Sequence, residues 1–191
     1  MESPGRRAAL LGTVLAGLAA CSITSGSALQ RPTLAPYVPT PQDVVDRMLT
    51  VAEVTSNDVL YDLGSGDGRI VITAAKKYGA RGVGIDIDSE RIAESRRNAR
   101  EAGVESLVEF RREDILEADV SKATVVSLYL VSSANLKLRP LLTRQLPAGA
   151  RIVSHKFGMG DWTPAKVERF KDLQGDDRVI YLWRADGKVR P

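Results

Sequence analysis

The sequence predicts an α/β fold: a doubly wound, mostly parallel sheet ending in a C-terminal antiparallel hairpin. Three observations carry that prediction. Short apolar, β-branched runs alternate with helical patterns from residue 40 onward, and glycines and prolines punctuate the joints between them. Beyond residue 160 the helical periodicity stops, and two extended segments follow each other with only a turn between.

Taken in order, Thr40, Pro41 and Asp43 read as an N-cap, a first-turn proline and a carboxylate near the positive end of a helix. Val44, Val45, Met48, Leu49 and Ala52 then fall on one helical face, expected to pack against the edge of the succeeding strands. Residues 59–63 form a short apolar strand, 69–78 a helix closed by Gly79, and 81–87 a second strand. A helix over 90–102 has Asp88 or Ser89 to cap its start and Gly103 its end, and residues 107–111 give a third strand. The run 124–130 is the most strand-like. It is followed by a helix over 134–146, a turn marked by Pro147 and Gly149, and a strand over 151–155. Segments 166–170 and 179–183 are predicted to pair antiparallel, because only the turn-like stretch 172–177 lies between them. Alternating strands and helices imply right-handed βαβ units, and such a Rossmann-like sheet binds ligands outside the carboxyl ends of its strands.

The 191 residues suffice for one domain, residues 37–191, and the 43% hydrophobic, 27% charged composition is that of a chain able to bury a core. A formal net charge of +3 makes no electrostatic case for nucleic acid as a partner. One cysteine, Cys21, and one histidine, His155, exclude an intrachain disulfide and a His/Cys zinc cluster; a purely carboxylate metal site stays open. At the front, Arg6 and Arg7 precede an uncharged, mostly apolar run over residues 8–20, too short for a membrane-spanning helix, so residues 1–21 read as an export signal. The run ends Leu18, Ala19, Ala20, Cys21, which resembles the lipobox of bacterial lipoproteins. That resemblance implies an exported protein held at a membrane by a lipid on Cys21. An ordinary cleavage site with an incidental thiol is the other reading, and without a working signal the protein is cytoplasmic. Residues 22–36, rich in Ser, Thr, Gly and Pro, read as a flexible tether.

The most informative stretch comes after the first strand: Asp62, Leu63, Gly64, Ser65, Gly66, Asp67, Gly68, Arg69, running straight into a helix. Glycines there let the backbone turn sharply and approach a ligand, and the helix start presents free N–H groups. Counting from Gly64, the dinucleotide fingerprint needs Gly or Ala at position 69 for close helix packing, and Arg69 stands there, which argues against NAD or FAD. Asp86, at the end of the second strand and 22 residues after Gly64, stands where a carboxylate accepts both ribose hydroxyls of an adenosine; a surface carboxylate is the alternative.

An acidic residue followed by G-x-G-x-G, here Asp62, Gly64, Gly66 and Gly68, resembles the first motif of class I methyltransferases that use S-adenosylmethionine (SAM). The resemblance implies that SAM lies on the loop formed by Gly64, Ser65, Gly66, Asp67 and Gly68. Asp62 then faces the methionine ammonium, Asp86 and Ile87 the ribose side, and Asp114 and Ile115 the adenine. For Asp114 a solvated turn residue is the alternative. The run Pro36, Tyr37, Val38, Pro39, Thr40, Pro41, together with residues 62–72, is similar to a narrower group. It holds bacterial proteins and the mitochondrial protein-lysine methyltransferases of the ATP synthase c-subunit and of the adenine nucleotide translocase. The likeness spans residues 36–183. In that setting Tyr37 covers the cofactor pocket, or else packs within a rigid proline-rich lead-in.

Because the SAM methyl is already activated, the protein mainly has to align a nucleophile with it, and the methyl acceptor is a nucleophile such as a protein lysine amine or a small molecule. Tyr129 at the end of the fourth strand, Asn135 opening the next helix, His155 ending the fifth strand and Asp161 beyond it lie where this fold places its substrate. Tyr129 and Asn135 can orient an amine through oxygen; for His155 a structural role competes with one as a base. A non-catalytic SAM-binding lipoprotein is the rival reading of the whole chain.

Overall fold

The computed structural model describes residues 34–191; the export signal, Cys21 and most of the tether lie outside the described residues. A lead-in segment runs into α1 (Gln42–Val51), followed by β1 (Val59–Leu63), α2 (Arg69–Tyr78), β2 (Arg81–Asp86), α3 (Ser89–Glu101) and β3 (Val108–Arg112). Then come β4 (Val125–Leu128), α4 (Ser132–Gln145), β5 (Arg151–His155), β6 (Lys166–Lys171) and β7 (Asp177–Arg184). The strands form one sheet in the order β3-β2-β1-β4-β5-β7-β6. β1 to β5 are mutually parallel, while β7 runs antiparallel to both β5 and β6. The chain moves outward from β1 to β3 and then returns to place β4 on the other side of β1. The strand order therefore reverses between β1 and β4, the position where such sheets open a ligand crevice.

Each face of the sheet carries its own core. On one, Val44, Val45, Met48 and Leu49 of α1, fully buried, join Val71 and Ala74 of α2 and Val153 and Ile180 of the sheet. On the other, Leu138 and Leu142 of α4 pack with Ile85, Leu128, Ile152 and Trp183. Each large apolar side chain buried in this way contributes roughly 1.5–3 kcal/mol. The expected edge position of α1 is corrected by this packing: it lies over β5 and β7, within the sheet, because four fully buried residues need a broad apolar surface. The N-cap reading is corrected as well. Pro41, in an extended conformation (φ −54°, ψ 146°), takes the cap position without a side-chain cap, and Thr40 is buried one residue earlier.

The fourth strand is shorter than its composition suggests. Pairing stops at Leu128, which frees Tyr129 and Leu130 to turn over the carboxyl end of the sheet before α4 begins. Asp88 caps α3 as expected, accepting from the amides of Glu90 (2.8 Å) and Arg91 (3.4 Å). The hairpin forms as predicted but inserts β7, not β6, beside β5.

Candidate functional site

The loop between β1 and α2 runs through three left-handed glycines, Gly64 (φ 85°), Gly66 (φ 53°) and Gly68 (φ 81°). A Cβ on Gly66 would stand 2.5 Å from the ring of Tyr37, and one on Gly68 would stand 2.7 Å from Phe110. Two of the glycines thus let side chains close over the loop, a packing reason that spacing alone does not reveal. The amides of Gly64 (2.8 Å) and Ser65 (3.0 Å) both donate to the Ile85 carbonyl, fastening the loop to β2. Asp67 serves the loop itself: its carboxylate accepts from Arg69 Nε (3.0 Å) and from the Arg69 amide (3.2 Å). Arg69 in turn reaches the Thr40 carbonyl (2.7 Å), tying the lead-in segment to the start of α2. The residue that argues against a dinucleotide fingerprint is therefore a clamp.

Asp62 is the buried acid of the site. It is 2% exposed at the end of β1, and its Oδ1 accepts from the Ser127 hydroxyl at 2.7 Å. Burial drives its pKa up from 3.8 to about 7; Ser127 opposes the rise, while Asp86 and Asp67 add to it. Of the three carboxylates that converge here, Asp67 is the one paired with a cation among the described residues, Arg69. Ser65 Oγ, also buried, has no partner among the described residues. Such a place fits a ligand that brings positive charge and hydrogen-bonding groups.

Asp86 stands across the loop, half-buried, with Oδ2 accepting from the Gly66 amide (2.9 Å) and Oδ1 from the Asp88 amide (3.0 Å). The Glu113 amide bonds to the Asp86 carbonyl (3.1 Å) and so brings the turn after β3 alongside. In that turn the Asp114 carboxylate accepts from the Leu116 amide (3.0 Å), Ile115 is buried, and Ile87 is half-buried nearby in sequence after β2. Tyr37 covers the loop from the other side, half-exposed, with the Arg91 guanidinium 4.7 Å above its ring. Burial and the Asp67 charge raise its phenol pKa, against the pull of Arg91.

The substrate-side candidates separate. Tyr129 and His155 come together, with ring centroids 4.2 Å apart, and Phe157 stacks on Tyr129 at 6.3 Å. His155 is fully buried and neither ring nitrogen has a partner among the described residues. Burial, with Arg178 and Lys156 adding and Asp172 opposing, lowers its pKa to about 4, so the imidazole is neutral. Asn135 sits elsewhere. Its amide nitrogen donates to Ser154 Oγ (3.3 Å) and to the Phe157 (3.1 Å) and Gly158 (3.3 Å) carbonyls. Ser154 and His155 point to opposite faces of the strand, so the sheet separates Asn135 from the imidazole. Asp161, with its side chain 91% exposed, pairs with Arg139 of α4 on that same far side. Sequence reasoning missed Ser127, Phe157 and Arg91. A hydroxyl inside the apolar run Val125, Val126, Ser127, Leu128 was the available signal for the first, and an aromatic two residues after His155 for the second.

The family model of the ANTKMT methyltransferase domain matches residues 62–166. The chain is 44% identical over 149 residues to a protein-lysine N-methyltransferase of Saccharolobus islandicus, covering 78% of this chain and 92% of that protein. It is 33% identical over 145 residues to the adenine nucleotide translocase lysine N-methyltransferase of Mus musculus, covering 75% of this chain and 61% of the mouse enzyme. Among solved structures, an RNA methyltransferase from Salinibacter ruber in complex with S-adenosyl-L-homocysteine is 56% identical, with a TM-score of 0.75. That match covers 80% of this chain and 97% of the other.

Proposed function

The chain belongs to the ANTKMT methyltransferase family and is a SAM-dependent methyltransferase, and we propose that its acceptor is the side-chain amine of a protein lysine. The convergence of Asp62, Asp67 and Asp86 on one glycine loop, with Arg69 paired to Asp67, carries the cofactor half of this reading. Asp62 holds the ammonium of the methionine moiety, Asp86 the ribose hydroxyls, and the turn at Asp114 and Ile115 borders the adenine. Tyr37, held by Arg91, closes over the loop. When bound, SAM supplies a methyl group already activated on a sulfonium, so the residues of the chain need only bind, exclude water and orient.

The acceptor half rests on the relatives named for lysine methylation and on a nearly balanced overall charge, which makes no case for a phosphate backbone. The test is transfer from SAM carrying a labelled methyl, offered in parallel to cellular protein and to cellular RNA, followed by complete hydrolysis. Labelled methyl-lysine supports the proposal; label confined to a modified nucleoside replaces it with RNA methylation.

We further propose that Cys21 carries a lipid and holds the enzyme at a membrane after export. The Arg pair, the short apolar run and the small residues before Cys21 support this reading. Replacement Cys21→Ser should move the protein from the membrane fraction to the soluble one, and unchanged sedimentation would refute the anchor.

A further inference from the structure

His155 is the single histidine of the chain, and it stands at the carboxyl end of β5 against Tyr129. Burying an imidazole with both nitrogens unpaired is destabilising relative to an apolar ring of the same size, so packing alone gives no reason for it. The next residue is strained: Lys156 has φ 69°, a left-handed conformation without a glycine to make it easy. An unpaired buried polar ring and a strained neighbour, at the ligand end of the sheet, mark a place prepared for a group from outside the chain.

Resting on the reading that the acceptor is an amine, we propose that His155 and Tyr129 bind the neutral form of a primary amine. Each takes one of its N–H bonds, so that the lone pair faces the methyl to be transferred. A free amine has two N–H donors and a lone pair, whereas an ammonium has three donors and none. A phenol oxygen and an imidazole nitrogen are two uncharged acceptors, which match the first form. A carboxylate in their place would favour the ammonium and keep the lone pair occupied.

The surrounding charges agree. Arg178 and Lys156 oppose a positive charge at His155, and Asp172, the carboxylate that favours one, is held by Arg178 Nε at 2.7 Å. Tyr129 is half-buried, and the segment carrying Phe157 continues through Gly158 and Gly160, so that ring can yield to admit an aliphatic stem. In the step itself the amine lone pair forms an N–C bond as the S–C bond breaks. The sulfonium becomes the neutral sulfide of S-adenosylhomocysteine, nitrogen takes up the positive charge, and the product ammonium gives a proton to water.

Because there is one imidazole, its nitrogens report on the proposal without ambiguity. The full chain labelled with 15N-histidine and saturated with S-adenosylhomocysteine would be titrated with n-butylamine near pH 9. The expected result is a saturable shift of the unprotonated ring nitrogen, absent with n-butyltrimethylammonium, which has no N–H, and about tenfold weaker in affinity for Tyr129→Phe. A parallel series uses poly-L-lysine as acceptor. His155→Leu should lose about tenfold or more in kcat/KM while keeping its S-adenosylhomocysteine affinity, and His155→Gln, which retains an acceptor, should recover most of the loss. An imidazole unmoved by n-butylamine overturns the inference, and does so even where His155→Leu fails to fold. Methyl-lysine formed by a protein whose imidazole ignores the amine sinks this inference alone. A nucleoside as the one methylated product sinks the lysine reading and this inference with it.

Discussion

Replacing Asp62 by asparagine should raise the stability of the ligand-free protein and lower its affinity for SAM, and both effects should follow pH. The carboxyl is raised from 3.8 to about 7, so the fold binds its proton more readily than the unfolded chain does. Its contribution to stability is full below about pH 4 and is lost as pH rises through 7. A rise of that size amounts to about 4 kcal/mol, an upper figure because the burial that produces it also allows some relaxation. Asparagine keeps the shape, lets Ser127 donate to its oxygen and never ionises, so the variant should melt above wild type at pH 8.

Cofactor binding runs the other way. On the proposed assignment the SAM ammonium pairs with the ionised carboxylate, whose fraction climbs from about 0.03 at pH 5.5 to about 0.76 at pH 7.5, a rise of about 25-fold. The α-amino group of SAM, with a pKa of about 7.7–8.0, has itself lost about a quarter to two-fifths of its charge at pH 7.5, so wild-type affinity should rise about 15- to 20-fold over that interval and gain nothing above it. For Asp62→Asn, the loss of a charge-assisted hydrogen bond predicts a dissociation constant about 30- to 100-fold higher at pH 7.5 and little dependence on pH below it. Titration calorimetry from pH 5.5 to 7.5, with thermal unfolding on the same samples, measures both. Affinity of the variant within threefold of wild type, or a flat wild-type profile, would refute the assignment of Asp62 to the ammonium.

Removing the Ser127 hydroxyl (Ser127→Ala) takes away the bond that holds the Asp62 pKa down, so the midpoint of the pH profile for SAM binding should move upward in the same calorimetric series. Gly66→Ala places a methyl at φ 53° and 2.5 Å from the Tyr37 ring; unfolding should cost about 1–2 kcal/mol less, and SAM should bind more weakly. A Gly66→Ala/Tyr37→Ala double-mutant cycle should show that part of the stability loss is the collision, and strict additivity would count against it. Asp58 ties β1 to β5 through Arg151 and Thr124, far from the ligand edge. Burial pushes its pKa up, but Thr124, Thr55 and Arg151 outweigh burial and hold it low, so its stabilisation is present at neutral pH and lost as pH falls through the acid range. Asp58→Ala should destabilise by about 3–5 kcal/mol in urea titrations while leaving SAM affinity unchanged, since it strands a largely buried arginine.

The pattern of the chain was legible where local chemistry decides. The bounds of β1, α2 and β5 follow from runs of apolar residues closed by glycine or a charged residue, and the Asp62 to Gly68 spacing pointed to an adenosyl ligand through residues that the fold does bring together. What sequence could not supply is which face of the sheet each helix covers. Asn135 opens α4 and His155 closes β5, both at the substrate edge, yet α4 covers the face opposite the imidazole, and the Asn135 amide bonds there to Ser154 Oγ and the Phe157 and Gly158 carbonyls. Thr40 reads as a cap by composition. Its carbonyl is instead drawn to Arg69, 29 residues later, a contact that no local propensity encodes.

The division of charge across the carboxyl edge explains more than either half alone. Around the glycine loop the Asp62, Asp67 and Asp86 carboxylates outnumber the paired Arg69, which favours a ligand that carries positive charge. Beside Tyr129 the rings are neutral, and Arg178 and Lys156 act on His155 as positive charges. With the acceptor site proposed above, a reaction that moves positive charge from sulfur to nitrogen runs from the acidic half toward a place that disfavours positive charge. That ordering does not favour the charged product, so it lowers no barrier by stabilising the new ammonium. Its use is in selection and release: an ammonium is disfavoured on arrival, a free amine is not, and the methylated ammonium is disfavoured again once formed. An acceptor site of this kind acts by excluding the wrong protonation state, a task for which an uncharged histidine serves better than an ionised base.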